Sequence, residues 1–242
     1  MPGPATFNTP LRIITYAMRN AGKLAQDSDP TPSQYAENLN RLNDIINVEQ
    51  TQGLKLWLNT DIAIAAPVLT AGLALYRFGP AGNVVMTKPM RIIQGYYIDS
   101  SFNKRPIDPP LSRDEYTRLS NVVQQGAVSS YFVDKQQLSL DVYLWNTPDA
   151  EAVTGEVHFI TQVQVTNMVS LTDSLSFPQE WFMWLQWALA DEISTGQPQT
   201  IMDRCQQRAA IYRMALEDWD VEDTSTRFTP DSRTTQMNGM FR

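Results

Sequence analysis

The chain has 242 residues, 43% of them hydrophobic and 10% aromatic, which is enough to bury the core of one large domain or two small ones. Its formal charge of −7 argues against a protein that grips a phosphate backbone, because such proteins cluster Lys and Arg, whereas the 19 here are scattered. A single cysteine, Cys205, excludes an internal disulfide framework, and no apolar run approaches the ~20 residues that span a bilayer. We therefore expect no membrane anchor.

Two amphipathic helices are predicted near the start of the chain. Thr9 and Pro10 supply a cap and a proline at the first helical position, and Gly22 lies just beyond the apolar stripe, so the first helix is predicted over residues 10–21. The residues from Thr31 to Gln34 match the sequence pattern of a capping box, and apolar residues follow at helical spacing. They predict a second helix that stops near Gly53.

The pattern changes to short β-type runs between Ile62 and Val169. Gly, Pro and Asn separate the runs, as is typical of strands joined by turns. The predicted strands are Leu73–Phe78, Arg91–Ile98, Ser130–Val133, Leu138–Trp145 and Glu156–Val165. One capped helical turn, from Ser112 to Tyr116, is predicted to interrupt them.

Two further helices are predicted after the β region. The third opens at Ser176-Phe177-Pro178-Gln179 and closes before Gly196, and its three tryptophans at spacing three form one aromatic face that suits a core. The fourth carries one apolar stripe, formed by Met202, Cys205, Ala209, Tyr212, Leu216 and Trp219.

None of the four helical stripes can be buried alone, so the two ends of the chain are expected to come together. The predicted fold class is α+β, with a helical bundle formed by the N- and C-terminal helices and a β-rich module inserted between them. The predicted domains are residues 1–60 with 175–222 for the split bundle, 61–174 for the inserted module and 223–242 for an extended C-terminal tail.

Catalytic motifs are scarce. The only histidine, His158, shares a strand face with Glu156 and Ile160 and has no Cys or His partner nearby in sequence, so a strand histidine is favoured over a metal ligand. Cys205 lies on an apolar stripe, which favours a buried small hydrophobe over a nucleophile. A pair of distant carboxylates for glycoside hydrolysis stays open. We expect no enzyme, no cofactor and no metal site.

Two charged stretches suit contact surfaces. An acidic cluster at the end of the fourth helix is read first as a solvated face and second as a site for a basic partner or a channel lining; its members are Glu217, Asp218, Asp220, Glu222 and Asp223. The C-terminal tail carries more basic than acidic residues and also contains apolar side chains. This composition suits a segment that becomes ordered when it binds a partner. The candidate contact residues of the tail are Arg227, Phe228, Arg233, Met240, Phe241 and Arg242.

The order of these pieces resembles a known family. The pieces are the Pro-started second helix ending in Gln-Gly-Leu-Lys-Leu-Trp, a β run entered through residues 73–80, the strand at Pro89-Met90-Arg91-Ile92, the sequence Leu-Trp-Asn-Thr-Pro at 144–148 and the Phe-Pro-Gln-Glu-Trp helix. Together, over roughly residues 9–220, they resemble the head-to-tail adaptor (connector) proteins of tailed bacteriophages, the group that includes tail tubular protein A.

The resemblance implies a ring beneath the portal that extends the DNA channel toward the tail. Its partners would be the portal protein, a tail or nozzle protein and further copies of the chain, about twelve in a ring by family resemblance. DNA would pass through without specific binding. The location implied is the virion neck, after synthesis in the host cytoplasm, and the family has no catalytic motif to transfer.

Two other classes of protein stay open at this stage. A tail-associated receptor- or glycan-binding protein would use the aromatic edges of the β module, where Tyr96, Tyr97, Tyr143 and Trp145 lie. A cell-wall glycosidase would use two of the 26 acidic residues, although no local motif selects a pair.

Overall fold

A computed structural model describes residues 9–52, 58–107, 110–173 and 177–219 of the chain. Both helices and sheets are present, so the fold is α+β. The helices are α1 (Pro10–Asn20), α2 (Pro32–Glu49), the short α3 (Arg113–Thr117), α4 (Trp181–Ile193) and α5 (Gln199–Trp219). Within these described ranges, no helix is both long and apolar enough to cross a lipid bilayer.

The helix ends follow the sequence signals with three exceptions, the first being that α2 ends at Glu49 rather than near Gly53. Thr31 and Gln34 form the predicted capping box of α2, and Gly22 adopts φ +71 after α1, where the amides of Gly22 and Lys23 close the helix on Arg19 and Met18. The Thr9 side chain, however, makes no capping hydrogen bond. Helix α4 begins at Trp181 rather than at Pro178, because the residues before it form single turns.

In the described ranges, ten strands form two four-stranded sheets and one small pair. The first sheet has the order β1-β10-β4-β5, the second β3-β2-β8-β7, and β6 pairs with β9. Their bounds are β1 Asn59–Ile64, β2 Leu75–Gly79, β3 Val84–Val85, β4 Arg91–Ile98, β5 Lys104–Pro106, β6 Gln125–Gly126, β7 Ser130–Lys135, β8 Leu140–Trp145, β9 Thr147–Pro148 and β10 Glu156–Gln162.

The five predicted strands are all present; β4 has the predicted bounds, and the other four have at least one shifted end. Strand β8 begins at Leu140 because Leu138 lies exposed in the preceding turn. Strand β10 ends at Gln162, three residues early, because the amide of Val165 donates to the Gln50 side chain on the helical side.

Aromatic rings join the two large sheets face to face. The Phe159 ring lies edge-on to Phe78 at 5.9 Å and to Tyr131 at 5.0 Å between ring centroids. Gly95 makes room for it, since a Cβ there would lie 2.9 Å from the Phe159 ring. Burial raises the pKa of Tyr131 to about 12, which keeps its hydroxyl neutral in this apolar core.

The four long helices share a second, separate core. Helix α4 lies at its centre and packs against α1, α2 and α5. Trp181 is fully buried and Trp184 is 4% exposed, and their rings meet edge to face, which confirms the predicted core role of these two side chains. Trp187 is only partly buried. Val165 and Met168, which follow the last strand, also pack in this helical core.

The chain enters and leaves the β region at neighbouring positions. Asn59 opens β1 and pairs with Gln162, the last residue of β10, while the amide of Val163 donates to the Leu58 carbonyl at 3.0 Å. Helix α2 then holds the returning segment, because the Asn43 side chain exchanges two hydrogen bonds with the Met168 backbone, at 2.9 and 3.0 Å.

Candidate functional site

The predicted acidic cluster is described only in part. Glu217 and Asp218 are exposed in the last turn of α5, whereas Asp220, Glu222 and Asp223 lie outside the described residues. Carboxylates are unfavourable at a helix C-terminus. Arg213 offsets one of them, because its Nε donates to Glu217 Oε1 at 2.9 Å.

Arg213 also connects the last helix to the end of α2. Its Nη2 lies 3.3 Å from Oε2 of Glu49, a nearly fully buried carboxylate, and donates to the Gln52 side chain. A buried carboxylate is costly unless it is paired, so this contact fixes the position of α5 relative to α2. Spacing along the sequence could not reveal it, because the partners come from opposite ends of the chain.

A groove of about 510 Å³ runs between α2 and α5 and has α4 as its floor. Its apolar lining consists of Ile45, Val48, Trp184, Ala188, Ala209 and Ala210. Charged side chains form its rim, namely Arg41, Asp44, Glu49, Asp191, Glu192 and Arg213. An apolar floor with a polar rim is the anatomy of a protein-binding surface.

Helix α5 presents further apolar side chains to solvent. Ile211 and Met214 are exposed, and so is Trp219 at 62%. The prediction that Trp219 belongs to the buried stripe is therefore wrong, because the stripe loses its partner surface after Leu216. The opposite side of the helix places Ile211 and Met214 three residues apart on one ridge.

The outward face of α1 is basic and aromatic. The Tyr16 ring is 41% exposed and lies between two guanidinium groups, with Arg12 at 5.4 Å and Arg19 at 5.9 Å from its centroid. Leu11 is exposed near the start of the same helix. None of these residues lines the groove between α2 and α5.

The six predicted tail contacts, from Arg227 to Arg242, all lie outside the described residues. The same is true of the Gly53–Trp57 stretch that ends the predicted second helix.

His158 lies on strand β10, as predicted, but it has partners that the sequence did not indicate. Its Nδ1 lies 3.2 Å from Asp61 on β1, its Nε2 lies 3.1 Å from Glu156, and its ring stacks on Tyr96 at 4.7 Å. The Tyr96 hydroxyl donates to Asp61, and this hydrogen bond raises the pKa of Tyr96 to about 12. The arrangement holds the imidazole rigidly between two carboxylates.

Cys205 is buried, as predicted. Burial raises the pKa of its thiol, the nearby Arg204 only partly opposes that effect, and the Sγ contacts the Asn20 carbonyl at 3.8 Å. A raised pKa disfavours the thiolate that a nucleophile needs. Across the part of the chain that the structure describes, no three His, Cys, Asp or Glu side chains are grouped to hold a metal ion.

An aromatic side chain projects from the turn between β4 and β5. Phe102 is 86% exposed and adopts φ 63, a conformation that is rare outside glycine. Asp99 holds the turn, since its carboxylate accepts hydrogen bonds from the amides of Ser101 and Asn103 and from the Asn103 side chain, which together lower its pKa. These hydrogen bonds order the backbone of the turn that carries Phe102.

No protein-family model matches the chain, and no curated protein matches it either. The assignment of a function therefore depends on the surfaces described above and on the residue pattern of the chain.

Proposed function

We propose that this chain is a structural protein of a tailed-bacteriophage virion, a head-to-tail adaptor that forms a ring on the portal and continues the DNA channel to the tail. It acts without catalysis and without a cofactor. Its partners are the portal protein, a tail or nozzle protein and further copies of itself, and it works in the neck between capsid and tail.

The return of the chain supports this proposal most directly. Asn59 and Gln162 are paired neighbours, and helices from both ends of the sequence contribute to one core. In this proposal the four long helices form one split bundle, from residues 1–60 and 175–222, and the sheets form an inserted module at 61–174. That is the order of parts in the adaptor family that the sequence resembles.

The charge of the chain fits a conduit for DNA. A channel through which duplex DNA must slide is best lined by groups that repel phosphate. Glu217 and Asp218 are exposed and offer such a surface, and the proposal assigns Asp220, Glu222 and Asp223 to the same channel lining. The tail residues Arg227, Phe228, Arg233, Met240, Phe241 and Arg242 are assigned to contact with the portal or an adjacent subunit.

One observation favours a second candidate function. An exposed aromatic side chain on a hydrogen-bonded turn suits a binding surface, and Phe102 is such a side chain. A tail-associated receptor- or glycan-binding protein would place this turn against its target. That protein would be a monomer or a trimer rather than a large ring.

The test is electron microscopy of the purified chain mixed with portal rings from the same virus. We expect top-view class averages with a closed ring of this chain stacked coaxially on the portal. A chain that stays monomeric or trimeric and leaves the portal bare would contradict the adaptor function and favour the receptor-binding one.

A further inference from the structure

Among the described residues, three carboxylates on the rim of the groove between α2 and α5 have no counterion. The two rim arginines are already engaged, Arg41 with Glu37 at 2.5 Å and Arg213 with Glu49 and Glu217. Asp44, Asp191 and Glu192 have no ion-pair partner among the residues that the structure describes. The groove therefore combines an apolar floor with unneutralised negative charge.

The Asp191 carboxyl group shows that ionisation is unfavourable in this groove. Desolvation in the groove, followed by repulsion from Glu192, raises the pKa of its carboxyl group. A guanidinium group placed beside the two carboxylates would offset their mutual repulsion and stabilise the ionised form against desolvation, because an opposite charge favours that form. The groove thus favours an occupant that brings arginine together with a large apolar or aromatic side chain.

The outward face of α1 has that composition. Tyr16 projects between Arg12 and Arg19, and Leu11 is exposed on the same helix. Arg19 also donates to the Ser28 carbonyl at 3.1 Å and lies 3.9 Å from the exposed Asp29, a surface contact of the kind that contributes little. Because α1 does not line the groove, one copy of the chain can offer its α1 and its groove at the same time.

We infer that α1 of a second copy of this chain packs in the groove between α2 and α5. Tyr16 lies against the apolar floor, and Arg12 and Arg19 neutralise Asp44, Asp191 and Glu192. The contact is heterologous, so its repetition generates a ring when the rotation closes. This inference rests on the proposed ring-forming function and names the contact that builds the ring.

The exposed ridge of α5 is the competing occupant. It belongs to a helix that forms the groove's own wall, so two copies can each insert this ridge into the other's groove and close as a two-fold dimer. Glu217 and Asp218 near the end of that ridge would also add negative charge beside an acidic rim. Charge complementarity therefore favours α1.

Paired cysteines test the contact. Chains carrying both Tyr16→Cys and Val48→Cys, or both Tyr16→Cys and Ala210→Cys, should form a ladder of covalent multimers under mild oxidation once assembled on portal rings. Tyr16→Cys with Val85→Cys is the matched control, because Val85 is exposed on β3 outside the groove. The wild type reports any reaction of buried Cys205.

Charge reversal gives an independent reading. Arg12→Glu with Arg19→Glu should weaken self-association on the order of tenfold, and so should Asp44→Lys with Glu192→Lys. All four changes in one chain should restore assembly, and unchanged melting temperatures exclude misfolding as the cause of the loss.

The outcomes separate this contact from the proposed function. In one outcome, rings form on the portal but no cysteine ladder appears, and the charge reversals leave assembly unchanged. That outcome overturns the α1 contact and leaves the adaptor function standing. A ladder in the control as strong as in the groove pairs overturns the contact as well. A covalent species that stops at the dimer in both groove pairs supports the α5 alternative. The absence of any ring overturns the adaptor function itself.

Discussion

Single aromatic side chains carry much of the helical core. Trp181 and Trp184 lie one turn apart on α4, with ring centroids 5.6 Å apart and planes at 88°. Met183 lies between them in sequence, yet it is exposed on the opposite side of the helix. Truncation to alanine therefore removes core contacts at Trp184 but mainly solvent-exposed atoms at the adjacent Met183.

We expect Trp184→Ala to lower the free energy of unfolding by about 3–5 kcal/mol, because the ring is lost from a packed core that collapses only partly around the cavity. Chemical denaturation followed by circular dichroism measures the change. Met183→Ala is the matched control and should cost well under half as much. Equal effects for the two variants would mean that Trp184 is not a core residue.

Local signals predicted single residues well, and distant partners poorly. Cys205 and His158 lie where their apolar stripe and strand alternation indicated. Asp61 was not predicted as a partner of His158, because 97 residues separate them and only sheet pairing brings them together. A pairing between strands distant in sequence leaves no local pattern.

At the level of elements, length decided what the sequence could predict. The long apolar runs of β4, β7, β8 and β10 and the capping box of α2 were all evident. Strands of two or three residues, such as β3, β5, β6 and β9, are too short for alternation to be recognised. Strand β1 was missed because its first half is polar and exposed.

The pairing of Asn59 with Gln162 predicts where the β region can be removed. Deleting residues 60–161 and joining the ends through about four glycine or serine residues should leave a soluble helical protein, because Val165 and Met168 stay with the helical core. Far-ultraviolet circular dichroism should show a helical spectrum with a cooperative melt.

A second deletion provides the control for this prediction. Removing residues 64–170 also discards Val165 and Met168, so that variant should be less stable than the first. Loss of helical signal in both variants would show that the helices depend on the sheets for their fold.

For the whole molecule, net charge is the property that the sequence gives most directly. A formal charge of −7 opposes attachment to a polyphosphate, whatever the fold. The groove between α2 and α5, by contrast, could not be predicted, because its two walls come from opposite ends of the chain and its rim charges are far apart in sequence. The predicted tail contacts lie outside the described residues.

We expect the isolated chain not to retard duplex DNA in a gel-shift assay at physiological salt. The reason is electrostatic, since affinity for DNA depends on cations that displace counterions from phosphate. A basic DNA-binding protein run in parallel shows that the assay works. Tight, salt-sensitive retardation by this chain would contradict a role as a passive conduit.

The paired entry and exit of the β region also have a mechanical consequence. Strands β1 and β10 both leave the helical side at the same end, so a load on the far end of the sheets is carried by two covalent backbones in parallel. Both strands are then pulled in the same direction, so the load does not shear the hydrogen bonds between them. A joint built in this way resists tension and bending better than a single linker would.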